Sequence, residues 1–188
     1  MKASSLFLGM MVFLTCACGY RPGYGPLSER FSTVSIPYVV GDIDGDLTAA
    51  IVHEVTASLG LQYRSTDGQL LLIVTLVDVT DKNIGFRYEH AHGKSYKRSI
   101  IPVETRLIST VEVSLVDAIT GCTVLPSVRL SASIDFDHEY NATHNDSNVF
   151  SLGQLTDADE AFETARFPLN RRLARKIVEY ISTYQASE

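Results

Sequence analysis

Residues 103–137 read VETRLISTVEVSLVDAITGCTVLPSVRLSASIDFD, and their alternation decides the fold class. Val103, Thr105, Leu107, Ser109, Val111, Val113 and Leu115 fall on one parity. Glu104, Arg106, Thr110, Glu112 and Ser114 fall on the other, with Ile108 the exception. Successive side chains of a strand point to opposite faces, so this is a strand with one dry and one wet face. After DAITG at 117–121 the pattern resumes: Val128, Leu130, Ala132, Ile134 and Phe136 alternate with Arg129, Ser131, Ser133, Asp135 and Asp137. Two such runs around a turn that holds Gly121 predict an antiparallel hairpin, and its dry face needs a cover.

Two amphipathic helices supply the cover. Leu47, Ile51, Val55 and Leu59 recur every four residues, Gly60 follows as a stop, and Asp44 or Asp46 is placed to cap the start. Further on, Phe162, Ala165, Leu169, Leu173, Ile177, Ile181 and Tyr184 keep one face, and Thr156 with Asp159 approaches a capping-box pattern. Pro168 predicts a kink there, or a division into two helices. Two further strands are expected at 34–40 (VSIPYVV), with Pro37 favouring an edge or a strand start, and at 69–80 (QLLLIVTLVDVT). The interval 81–101 is polar and reads as a long loop. The order β-α-β-β-β-α over 34–188 predicts an α+β two-layer sandwich. Its four-stranded sheet is largely antiparallel or mixed, and both helices lie on one face.

The composition limits the function. The chain has 188 residues, 45% of them hydrophobic, and a formal net charge of −6. That is one domain's length and a globular apolar share, which excludes wholesale disorder. No basic surplus is present to neutralise nucleic-acid phosphates. Three cysteines without a C-x-x-C pair make neither a disulfide scaffold nor a zinc site.

The N-terminus is an address. Lys2 precedes an apolar run of nine residues at 6–14, too short for a permanent bilayer span, and small residues follow. The alternative is a buried N-terminal helix. The ending LTCACG at 14–19 resembles a bacterial lipobox, with Ala17 the small residue before Cys18. That resemblance implies a signal peptide at 1–17 and diacylglycerol on Cys18. Two or more acyl chains, at about 0.8 kcal/mol per buried CH₂, hold such a protein stably on a membrane. Ordinary secretory cleavage with a free thiol is the other reading. Removal of Lys2 would leave the mature chain one unit more negative, with Cys122 the one cysteine left as a thiol. Residues 18–33, rich in Gly and Pro, read as an extended tether or as a loop lying along the domain.

Cys18-Gly19-Tyr20-Arg21, Ile36-Pro37-Tyr38 in the first strand, Leu47-Thr48 in the first helix, DAITG at 117–121 and the long C-terminal helix together resemble the LptE family of lipopolysaccharide-assembly lipoproteins. The chain departs from the family in having Gly41, Asp42 and Ile43 where many members place Asn and Thr. The resemblance implies an outer-membrane lipoprotein facing the periplasm of a Gram-negative bacterium. It also implies a plug and assembly partner for the LptD β-barrel, with no enzymatic activity and no cofactor beyond the covalent lipid. Such proteins bind lipopolysaccharide through basic residues. Candidates here are Lys82, Arg87, Lys94, Lys97 and Arg98, whose cationic heads suit lipid A phosphates. The plainer reading of these five is a solvated loop, and for Arg171, Arg172, Arg175 and Lys176 a solvated helix face. The rival function is a periplasmic lipoprotein subunit of another envelope lipid-transport or secretion complex.

Catalytic signals are thin. Asp135 and Asp137 share a face, and His90, His92, His138, His144 and Asp146 are potential ligands, yet no H-E-x-x-H, G-x-S-x-G or P-loop pattern accompanies them. No catalytic or metal-binding residue is assigned.

Overall fold

The alternating run 103–137 folds as the hairpin its pattern predicts. The computed structural model describes residues 25–89, 99–138 and 158–184. In chain order they form α1 (Pro26–Arg30), β1 (Thr33–Ser35), α2 (Asp46–Leu59), β2 (Gln62–Arg64), β3 (Leu70–Glu89), β4 (Ser99–Asp117), β5 (Thr123–Asp137) and α3 (Ala158–Ile181). One mixed sheet has the order β2-β1-β3-β4-β5. β1 is parallel to both its neighbours, whereas β3, β4 and β5 are antiparallel. The class is the expected α+β sandwich, with five strands rather than four. β2 escaped the sequence reading because its three residues are all exposed and show no alternation.

α2 and α3 pack on the same sheet face. Leu47, Ile51, Val55 and Leu59 meet Leu169, Leu173, Ile177 and Ile181 above Leu70, Leu72, Leu107, Val111, Val113 and Leu115, all fully or nearly fully buried. Truncating one of these to Ala costs about 2–5 kcal/mol in comparable cores. α3 runs unbroken through Pro168, so of the two expected outcomes the division into two helices does not occur. Pro168 is exposed, as is Thr164, whose carbonyl loses its helical N–H partner to the proline.

Local chemistry departs from expectation at three places. Neither Asp44 nor Asp46 caps α2: the N-cap is Gly45 at φ 81°, with no side-chain cap bond. The buried Asp42 does that work from upstream, its Oδ2 accepting from Thr48 N at 2.8 Å and Thr48 Oγ1 at 2.6 Å. The first strand is three residues, not seven. Pro37 offers no donor, and the backbone pairs with the sheet again at Val40, bridged to Thr75. Of the stretch 18–33, residues 26–31 are folded against the domain: α1 buries Leu27, and Phe31 joins the core.

The largest departure is 81–101. β3 continues to Glu89 and β4 begins at Ser99, so both ends of the expected loop are strand. Register shifts between Leu76 and Asp78 and between Asn83 and Gly85 change the phase of β3. A bulge inserts one residue and moves later side chains to the other face, which erases the period-2 signal.

Candidate functional site

β5 ends opposite Glu104, and β3 and β4 continue past it as a two-stranded ribbon at 85–89 and 99–103. At about 3.3 Å per residue this extension is roughly 15 Å long. It stands at the opposite end of the sheet from the start of the described chain. α1 lies beside the C-terminus of α3, with Arg30 Nη1 donating to the Tyr184 hydroxyl at 3.0 Å. The turn after Asp117 is at that same end, opposite Leu70.

Among the sequence candidates, Lys82 and Arg87 are on β3 rather than on a loop, and both are exposed. Lys82 lies directly opposite Arg106, and Arg87 opposite Ile101. Five steps of strand separate them, roughly 16 Å, so they do not form one cluster. Lys94, Lys97 and Arg98 lie outside the described residues, as do Cys18, the lipobox, His90, His92, His144 and Asp146.

The helix-free face carries a charge row. Arg106 holds Asp135 in a two-pronged pair, Nε to Oδ1 and Nη2 to Oδ2, each 2.7 Å. That hydrogen bonding and charge keep the Asp135 carboxyl below the usual range and raise Arg106 further. Asp135 is thereby committed to a structural pair, which removes it as half of a hydrolytic carboxylate couple. Among the described residues, no three His, Cys, Asp or Glu side chains gather as a metal set would require.

Where the ribbon leaves the sandwich, a short polar chain crosses three strands. His138 Nε2 and Thr105 Oγ1 are 2.8 Å apart, and Thr105 Oγ1 donates to Asn83 Oδ1 at 2.8 Å. A cleft of about 320 Å³ opens next to it, lined by Leu47, Leu76, Val79, Leu107, Phe162 and Leu169. Arg166 at its rim is paired with Asp44 at 2.8 Å and Glu163 at 3.1 Å.

The second basic set is more specific than a solvated face. Arg172 Nη1 donates to the Ser133 carbonyl at 2.6 Å, Lys176 Nζ to the Ser131 carbonyl at 2.7 Å, and the Tyr180 hydroxyl to the Pro126 carbonyl. These side chains, four residues apart on α3, cap the outer edge of β5. Arg171 and Arg175 reach Glu54 of α2 at 3.8 and 3.7 Å. Helical spacing alone shows a wet face; only the packing shows what that face touches.

The sandwich has one mixed sheet with α2 and α3 on a single face. The LptE lipopolysaccharide-assembly family model matches residues 31–181, and this chain belongs to that family. Its place is therefore in lipopolysaccharide assembly, in a family of non-enzymatic lipoproteins. A lipoprotein from Caulobacter crescentus has the same fold at 16% identity, with 86% of this chain and 96% of that one covered and a TM-score of 0.51. A minor lipoprotein from Acinetobacter baumannii, also 16% identical, covers 81% and 91% at a TM-score of 0.47. Rare lipoprotein B from Shewanella oneidensis, at 11% identity, covers 81% and 95% at a TM-score of 0.44. No curated protein matches the chain in sequence.

Proposed function

We propose that this protein is anchored in the outer membrane by lipid on Cys18, faces the periplasm, and serves as plug and assembly partner of an LptD-type β-barrel. On this reading it contacts lipopolysaccharide through Lys82, Arg87, Lys94, Lys97 and Arg98. Family membership over 31–181 carries the proposal.

The shape supports it. β4 alone has 19 residues, roughly 60 Å of extended chain, and the start of the domain and the ribbon stand at opposite ends of the sheet. Seven residue steps, at most about 25 Å of chain, lead from Cys18 to Gly25. An anchor at one end thus carries Arg87, on the ribbon, far from the lipid attachment. Closed barrels have no free edges, and a rigid insert suits their lumen better than a flexible one. The sandwich offers such an insert.

The test is a mild-detergent pull-down of the mature protein from its native envelope, with mass spectrometry of everything retained. One large β-barrel at near one-to-one ratio is the expected result. Recovery with inner-membrane transporter subunits, or with no barrel, would overturn the plug and favour the rival envelope complex.

A further inference from the structure

β3 and β5 each leave one side of a long strand without a strand partner, and the chain treats the two sides differently. Along β5 the outer carbonyls are capped by Arg172, Lys176 and Tyr180. Along β3 the pairing on the β1 side stops early. β1 reaches it at Leu70 and Leu71, Val40 bridges Thr75, and the Leu76 amide donates to the Val40 carbonyl at 2.8 Å. From Asp78 to Asn83, β3 still pairs with β4, but among the described residues no strand lies on its other side. The bulge after Leu76 sets Asp78 opposite Thr110. Alternation from there aims the backbone groups of Asp78, Thr80 and Lys82 at β4, and those of Val79, Asp81 and Asn83 at the open side.

This row is fitted to an incoming strand. Its unmatched N–H and C=O groups are a template for pairing. On the helix side the cleft of about 320 Å³ begins at the same place, lined by Leu76 and Val79 of β3 with Ile43, Phe162 and Leu169, and has room for an apolar side chain. Val77 is 43% and Val79 45% exposed. Charge identifies the occupant. The row holds Asp78 and Asp81 against the single cation Lys82, and among the described residues no ion pair reaches either carboxylate. A second copy would bring the same net negative row, whereas a segment bearing Lys or Arg answers it.

We propose that β3 between Val77 and Asn83 receives an extended segment of the barrel partner, paired through its backbone, with an apolar side chain in the cleft and a basic one beside Asp81. This rests on the barrel-partner reading above and specifies one of its contacts. A closed barrel wall has no free edge, so the segment belongs to a loop or terminus of that protein. Val79 and Asp81 stand two apart on one strand face, so the cleft and the carboxylate are met by partner residues two apart. Main-chain bonds then give affinity, and the pocket and charge give specificity.

The full mature chain is copurified with its barrel in mild detergent, and its amide hydrogen exchange is compared with that of the free protein. Protection is expected to rise in the complex at Val79, Asp81 and Asn83, and to stay unchanged at Asp78, Thr80 and Lys82, which β4 already holds. Asp81→Pro removes a donor that β4 does not use, so the fold should stand while recovery of the barrel falls about tenfold. Asp78→Lys/Asp81→Lys keeps every backbone group and should weaken the complex most at low salt, which decides the matter if the proline variant melts early. Absence of new protection at the three amides in the barrel-bound protein overturns edge pairing and leaves the barrel reading standing. Protection of the same amides on concentrating the free protein overturns it in favour of a second copy. Failure of wild type to retain any barrel overturns the barrel reading, and this contact with it.

Discussion

Lys176 Nζ lies 2.7 Å from the carbonyl oxygen of Ser131, on the outer edge of β5. The backbone of an edge strand is a template for another strand, and here a helix side chain occupies it. Arg172 does the same at Ser133 one helical turn earlier. Replacing both by Ala should lower stability by about 1 kcal/mol per contact and raise self-association. Urea unfolding and light scattering on the double variant check the two effects separately.

Gly68 has no room for a side chain. A Cβ there would stand 2.4 Å from the Ser35 amide nitrogen and 2.7 Å from Val34 C, both backbone atoms that cannot swing aside. Gly68 N also donates to Ser35 Oγ at 2.8 Å. Gly68→Ala should cost about 1–3 kcal/mol and loosen β1 from the sheet. Hydrogen exchange at 34–35 and 70–71 would report it, because those residues carry the β1–β3 ladder.

Asp117 links stability to pH. Its Oδ1 accepts from Ile119 N at 2.9 Å and Thr120 N at 3.2 Å, and these bonds hold its carboxyl below the ordinary value. A depressed folded-state pKa contributes stability above the unfolded value, which is lost as pH falls through the folded one. Asp117→Asn should therefore be less stable than wild type at pH 7. The gap should narrow as pH drops below about 4, where unfolded aspartate takes up its proton. Urea midpoints at pH 7, 5 and 3 measure the gap.

Cys18→Ser removes the acceptor for lipid. The expected outcome is an unprocessed precursor that is absent from the outer-membrane fraction, seen by immunoblot of fractionated cells. Normal processing and attachment of the variant would refute lipidation at this residue.

Lys94→Ser, Lys97→Ser and Arg98→Ser combined should weaken lipopolysaccharide binding at low salt. The difference from wild type should shrink as ionic strength rises and the Debye length falls to roughly 10 Å at 0.1 M. A titration at two salt concentrations decides it, and equal affinity at low salt would remove these residues from the site.

The sequence by itself determined the hairpin 103–137, both amphipathic helices and the layer they cover, because those elements have a fixed period that burial enforces on one face. It also carried the family likeness in short local stretches. Tertiary structure alone decided the rest. β2 exists only as a parallel partner of β1, and its exposed residues bear no pattern. The strand ends of 81–101 were hidden by bulges that shift the phase of alternation. Arg172 and Lys176 looked like any solvated helix face, since spacing along a helix says which side is wet but not what stands beside it. Phe86 and Tyr88 likewise face Pro102 and Ile100 only through register, which sets residues twelve or more apart opposite one another.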